Sequence, residues 1–434
     1  MSDDWKRSSL SSLCEQIADC PHSTPLWTER GVIVVRNQNI RGGRLDLSSP
    51  SFTDEAHFEH RSRRARLKAG DLLLTREAPM GEVCMIPEGL RCCIGQRMVM
   101  LRPDPKKCDS RFLLYSIQSS AVQHEIRVNE GTGSTVSNLR IPLLEALPIP
   151  HPPLNKQKAI AAVLGALDDK IELNRRMNAT LETMARALFQ SWFVDFDPVH
   201  AKLDGRSPAN LGLGIAALFP ASFQDSPLGP IPHGWDVGSI LRQADLLSGG
   251  TPKTDVPAFW DGEVAWASAK DVSQCGEAFL VSTERTITPL GVEKSPTKII
   301  PVFATVVVAR GATTGRLTMF GAAMAMNQTC YGLRSKLDAP FALYCHVRHF
   351  IERLVQGGHG SIFDTITTST FEATDVLLAP KEVLVAFDAS TAPLFQRILA
   401  NIHESRTLAT LRDTLLPKLL SGELSVSTAA ETIP

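Results

Sequence analysis

Cysteine pairs at CxxC spacing are missing from this 434-residue sequence, although it holds nine cysteines. The count is odd, and Cys92 and Cys93 are adjacent. Neither a zinc knuckle nor a disulfide framework fits that usage, so free thiols in a reducing cytoplasm are expected. An excess of one charge is also lacking: 45 Lys+Arg stand against 46 Asp+Glu. Overall charge therefore gives no reason to expect a polyanion binder, although a basic patch is a local property. No apolar run approaches ~18 residues, so no membrane span is expected. The polar start "MSDDWKRSSL" does not read as a signal peptide.

Catalytic signatures are missing too. There is no GxxxxGK[ST] phosphate loop, no GxGxxG opening a helix, no HExxH and no GxSxG elbow. "GTGS" and "GHGS" lack the following lysine. His57 and His60 sit in "HFEH", which is not a zinc-ligand spacing. No metal site and no resident cofactor is expected, and the chain reads as a scaffold with two reading heads.

What is present is globular. The sequence is 43% hydrophobic and 21% charged, enough to bury real cores. Its length suits about three domains. The stretch "LGALDDKIELNRRMNATLETMARALFQSWF" has no proline and no glycine after Gly165. Leu164, Leu167, Ile171, Asn174, Asn178, Leu181, Ala185, Leu188 and Trp192 recur at steps of three and four, which is a heptad seam.

One long unit is written twice, at a period of roughly 230 residues. Trp5 pairs with Trp235, Thr24-Pro25 with Thr251-Pro252, and "GVIVVRNQNI" with "GEVAWASAKDV". "GDLLLTREAPMGEV" matches "VFATVVVARGATTGRL", aligning Arg76 with Arg310 and Gly81 with Gly315. Gln96 meets Gln328, "GTGSTVSNL" meets "GHGSIFDTI", and both copies end in a helix. There Leu167, Ile171, Asn174, Leu181 and Leu188 match Leu394, Ile398, Asn401, Leu408 and Leu415. Two seams of one length can cover each other. A helix of ~40 residues spans about 60 Å. Chain continuity favours antiparallel packing, with a globular domain at each end of a rod and a pseudo-twofold axis between them. Asn174 and Asn401 fall at equivalent seam positions, where asparagine trades stability for register; exposed helix-edge positions are the alternative. Pro393 is expected to kink the second helix or mark its true start.

Short β-rich runs ("LLLT", "VMLR", "TVVVAR", "AWAS") between Gly/Pro turns, with a single helix, make each head α+β. Asp195 to Trp235 is rich in Pro and Gly and reads as an ordered-irregular linker, not a core element.

Two stretches carry a resemblance over essentially the whole chain. "PIPHPPLNKQKAIAAVLGALDDKIELN" is similar to the Pro-Pro-Leu, Gln, Leu-Asp, Ile signature of the DNA specificity subunits of type I restriction-modification systems. "FVDFDPVHAKLDG" with "LFPASFQDSPLGPIPHGW" resembles that family's join into its second half. The resemblance implies an α+β chain with two target-recognition domains in pseudo-twofold repeat, separated by two long antiparallel coiled-coil helices. It divides the sequence into a first recognition domain (1–152), a central helix (153–194), a linker (195–232), a second recognition domain (233–380), a C-terminal helix (381–423) and a tail (424–434). It implies a non-catalytic, cytoplasmic subunit that binds double-stranded DNA at a split asymmetric site. Its partners are two modification subunits, using S-adenosylmethionine, and restriction subunits, using ATP and Mg. The second copy departs from the signature: "APKEVLVAFDAS" lacks the Pro-Pro-Leu and the Gln.

Sequence reading of DNA needs forked donors and amides at base edges, and cations, hydroxyls and backbone N–H groups at phosphates. The repeat places such residues at turns. Arg76 and Arg310 suit guanine or phosphate, or a surface salt bridge. Gln96 and Gln328 suit adenine, or a strand cap. Arg97 and Thr132 pair with different side chains in the second half, Thr329 and His359; Ser134 and Thr135 of the first glycine loop, and Thr313, His359 and Ser361 of the second half, are further candidates. Arg36, Asn37 and Lys270 follow the first strand run of each half. Arg63 and Arg64 lie in "HRSRRARLK", the most basic segment. Met177, Met184 and Phe189 lie off the seam, facing either a partner subunit or the other helix. A second function class stays open: a structural rod whose heads bind protein. A fused enzyme with a degenerate site would need a cofactor loop, and none is found. Within the family, service to a solitary methyltransferase or a silent copy used for domain shuffling also stays open.

Overall fold

A computed structural model describes residues 5–129, 138–357 and 365–426. The chain forms two compact units. Residues Met1–Ile171 with Thr407–Pro434 make the first, and Glu172–Arg406 the second. The long helices Leu154–Phe193 and Lys381–Ser421 each contribute to both, so they are not domains of their own.

In the first unit the apolar runs become strands. Leu72–Thr75 is buried at every position, as a central strand covered on both faces requires. It lies in an antiparallel sheet, with Met98–Pro103 then Cys14–Asp19 on one side and Val83–Met85 on the other. A second sheet sets Val32–Val35 between antiparallel Ser51–Thr53 and parallel Cys92–Ile94. The helix Ser110–Gln118 is capped by Asp109, whose carboxylate accepts from the Phe112 N–H at 2.9 Å. Its Phe112 and Ile117 join Leu72, Leu164, Leu167, Leu415 and Leu419 in one core.

The second unit repeats this plan. Ala244–Ser248, Cys330–Ser335, Thr305–Val308 and Leu317–Phe320 form the matching antiparallel order, with Phe279–Leu280 added at the edge. Trp260–Ala267 sits between antiparallel Arg285–Ile287 and parallel Ala325–Met326. Asp236–Ser239 pairs with Asp375–Leu378 as Arg7–Ser9 pairs with Pro148–Pro150.

The segment from Asp195 to Trp235 corrects the linker reading. It holds helices Asp197–Leu203 and Leu213–Ala217 and a two-stranded ribbon, Phe223–Gln224 with Ile231–Pro232. Val199, Phe219 and Ile231 are buried with Trp192, Trp235 and Phe387 in the core of the second unit. Its aromatic and β-branched residues outweigh its Pro and Gly content, because they cover the end of the first long helix.

The first long helix is anchored at its start by buried Gln157. The side chain accepts from the Asp109 N–H at 2.9 Å and donates to the carbonyls of Lys107 and Pro152. Gly165 leaves room for Arg111 to cross the helix and reach Asp169 through two bonds of 2.9 and 2.7 Å; a Cβ there would meet Arg111 Nη1 at 2.4 Å. In the second unit, where the Gln is absent, Asp388 replaces it. Its Oδ1 accepts from the N–H groups of Phe341 and Ala342 at 2.7 and 3.0 Å, at the start of helix Pro340–Gly357. Burial pushes the Asp388 carboxyl above its ordinary range.

Pro393 neither starts nor ends its helix, which runs unbroken from Lys381 to Ser421. Pro393 and Ala389 are both exposed, so the carbonyl that proline leaves without a donor lies on the wet side. The hydroxyls of Ser390 and Thr391 return bonds to the Ala386 and Phe387 carbonyls. By length and composition this helix is apolar enough to cross a membrane, but Phe387, Phe395, Ile398, Leu415 and Leu419 are buried within the two cores.

The seam leucines and isoleucines are buried or partly buried. Asn174, Asn178 and Asn401 are buried as well, so they are not edge residues. Asn174 and Asn401 do not face each other. Asn401 donates to Asn178 Oδ1 at 2.8 Å, and Asn174 donates to Glu404 at 2.8 Å and Ser405 Oγ at 3.3 Å. Partners fall in number on one helix as they rise on the other, so the helices run antiparallel here. Exchanging Asn174 with Asn401 and Asn178 with Ser405 maps one contact onto the other, a local twofold of the helix pair. Replacing Asn401 alone with Ala strands the Asn178 amide and lowers stability by about 1–3 kcal/mol. Replacing Asn178 and Asn401 together with Leu recovers only part of that loss, because Glu277 Oε2 also loses its 3.3 Å bond from Asn178 Nδ2, and it loosens register. Chemical denaturation of the two variants checks the difference.

Candidate nucleic-acid interface

In the first unit several candidates converge. Asn37 donates to the Glu77 carbonyl at 2.6 Å. The Glu77 carboxylate accepts from Asn138 at 2.8 Å and lies 3.4 Å from Arg97 Nε. Gln96 donates to the His22 carbonyl at 2.7 Å and to Thr24 Oγ1 at 3.4 Å. Arg36 is exposed, with its guanidinium over the Trp27 ring at 5.1 Å. Arg97, also exposed, has φ +64, an uncommon conformation for a residue with a Cβ. Its carbonyl accepts from the Arg76 N–H at 2.8 Å, which helps hold the turn. Together they form a polar surface with cations at its rim.

Arg76 is not part of that surface. Its side chain is buried, with Nε donating to the Leu139 carbonyl at 2.8 Å, Nη1 to Asp19 at 2.7 Å and Nη2 to Asn138 at 3.1 Å. Every nitrogen of the fork is engaged, so it acts as an internal brace. Nor is it the counterpart of Arg310. Gly81 N–H bonds the Thr75 carbonyl, Arg76 N–H bonds Arg97, and Leu139 N–H bonds Arg76. In the second unit Gly315 bonds Val308, Ala309 bonds Thr329, and Ile366 bonds Ala309. Arg76 therefore matches Ala309, and the second turn is one residue longer. Arg310 is exposed on that turn, with Thr313 beside it.

Gln328 accepts from the Thr251 hydroxyl, whereas Gln96 donates to Thr24 Oγ1, so the same pair of residues is latched in both heads with opposite polarity. Lys270 is exposed and paired with Glu284 at 2.6 Å. Arg63 and Arg64 are exposed beyond helix Glu55–Arg61. Neighbouring Arg61 is buried, donating to the carbonyls of Ile94, Ser23 and Pro21, and burial lowers its pKa. Thr132, Ser134, Thr135, His359 and Ser361 lie outside the described residues. His57 bonds the helix cap Asp54 at 2.8 Å, and among the described residues no cluster could hold a metal ion. All nine cysteines are free, and burial raises their thiols, Cys84 and Cys92 to about 12.

Sequence reasoning missed Glu77, Asn138 and Trp27. The signal for Trp27 was present in "STPLWTER", an aromatic two residues past the conserved-in-repeat Thr-Pro turn. Glu77 had none, because its role depends on a contact with distant Asn138.

A family described as the type I restriction modification DNA specificity domain matches residues 2–183 and 232–386. The chain belongs to this family. The two matches cover the two copies of the repeat, so each head is one specificity domain. The type I restriction enzyme HindI specificity subunit of Haemophilus influenzae is 25% identical over 410 residues, 82% of this chain and 87% of that one. The MjaIX specificity subunit of Methanocaldococcus jannaschii is 26% identical over 373 residues, 82% of this chain and 78% of the other. The S subunit of a type I restriction-modification system from M. genitalium superposes with a TM-score of 0.58 at 15% identity, covering 96% of both chains, and so shares the fold.

Arg76→Ala in this specificity chain removes the partner of Asp19 and leaves the Leu139 carbonyl bare. A loss of about 3 kcal/mol is expected, while Arg310→Ala leaves stability unchanged. Melting curves of the two variants separate the brace from the surface arginine.

Proposed function

We propose that the chain is the non-catalytic, sequence-reading subunit of a type I restriction-modification complex acting on double-stranded DNA in the cytoplasm. Each head reads one half of a split, asymmetric site. The observation that carries this reading is one repeated frame bearing different side chains at equivalent turns: Arg97 against Thr329, and an extra residue in the second turn, which exposes Arg310. One frame with two surfaces is what two unlike half-sites require.

Two modification subunits dock on the outer face of the long helices. On the first helix Leu173 and Met184 are exposed and Met177 is half-buried, an apolar stripe one position off the seam. Phe189 is excluded from that stripe, because it packs against Phe193 and Phe387. S-adenosylmethionine, ATP and Mg belong to the modification and restriction subunits, which carry the methylation and cleavage chemistry. The reading of the helices as a mere oligomerisation rod is not favoured, since both heads match DNA specificity domains.

Methylated adenines mapped in cells expressing the chain with its modification subunit are expected in a split motif with a fixed gap, lost on deletion of this chain. Absence of methylation together with absence of salt-dependent DNA binding by the complex would return the rod reading. Exchanging residues 1–150 for those of another such subunit is expected to change one half-site and leave the other intact, as the same mapping would show.

A further inference from the structure

The turn between strands Cys14–Asp19 and Val32–Val35 exposes two bulky apolar residues side by side, Leu26 at 55% and Trp27 at 45%. Single exposed leucines are ordinary; an exposed tryptophan beside one on a fixed turn needs a reason. This turn is fixed. Buried Thr53 donates its hydroxyl to the Leu26 carbonyl at 2.8 Å, and the Thr28 N–H bonds the Phe52 carbonyl at 3.1 Å. Pro25 is buried ahead of the pair. Arg36 covers one part of the indole, and its Nη1 reaches Ser51 Oγ at 3.4 Å. Gln96 ties the same turn to the Arg97 corner through His22 and Thr24. Arg30 and Glu29 are exposed just after the pair, Arg36 is exposed over the indole, and His22 lies 3.4 Å from Asp19 Oδ2.

An immobile aromatic surface with a stacked guanidinium suits a polyanion whose interior is flat and apolar. We propose that Trp27, with Arg36 stacked on it, is a base-contacting and specificity-determining element of the first head: the indole packs on bases of the first half-site while Arg36 binds the adjoining phosphate. The inference rests on the DNA-reading assignment above. It is particular to the first head, because two residues past the matching proline, Pro252, the second head has Thr254. The tryptophans at the start of that head, Trp260 and Trp266, are instead buried, with their indole N–H groups spent on the Lys253 and Gly250 carbonyls.

The test uses the full chain assembled with its modification subunits and a duplex carrying both half-sites. Trp27→Ala is expected to weaken binding about tenfold, the scale of one mismatched base pair. The penalty for altering the first half-site should shrink and that for the second stay constant. Trp27→Phe should restore most of the loss. Arg36→Ala should lower the salt slope by about one, whereas Trp27→Ala should leave it unchanged. Acrylamide quenching gives an independent readout: the quenchable emission lost in Trp27→Phe should be shielded when DNA binds the wild-type complex. Wild-type binding with full discrimination at both half-sites in Trp27→Ala overturns this inference alone. Loss of modification-subunit assembly in Trp27→Ala, with quenching unshielded by DNA, also overturns it and makes the turn a protein contact. A wild-type complex without sequence-specific binding overturns the DNA-reading assignment and this inference with it.

Discussion

The structure depends on one constraint: neither long helix can leave its apolar stripe in water, and each finds the other. The seam that results is apolar except at its asparagines, where Asn401 meets Asn178 and Asn174 meets Ser405. Leucine at those positions would slide by a heptad at small cost; an amide buried without its partner would not. Register at the asparagines then fixes which turn of each helix meets the sheets beside it. Gln157 and Asp388 do that job at the two helix starts with different chemistry, one an amide reading backbone on both sides, the other a carboxylate at a helix N-terminus.

Much of this is legible in the sequence. The heptad steps, the doubled unit and the buried strand runs are periodic, and periodicity is a property of sequence. The Thr24–Gln96 and Thr251–Gln328 latches show how far the repeat persists, since both partners had been paired across the halves from the sequence alone. Three features were not legible for physical reasons. The one-residue insertion in the second turn was masked because an arginine occurs near both turns, and only the backbone bonds show that Arg76 matches Ala309. Pro393 looked like a helix boundary because its cost depends on whether the freed carbonyl is wet. The segment after Asp195 looked like linker because its few aromatics are decisive only once Trp192 and Phe387 are seen beneath them.

The interface candidates were legible in outline and not in role. Asn37, Gln96 and Arg97 do gather on one surface, but Arg76, the most suggestive of them, is an internal brace. A guanidinium that reads a base and one that holds a loop are identical in sequence. They differ in whether the acceptors of the protein already fill the fork.

The cysteines carry a practical consequence. Burial raises all nine thiols above their ordinary range, and seven of the nine are buried, so an electrophile reacts faster with an exposed, unperturbed thiol than with any of them. A single cysteine placed on the outside of either head can therefore carry a fluorophore or spin label without removing any of the nine native ones. The distance between two such labels can then be followed as the chain takes up its partners and its DNA.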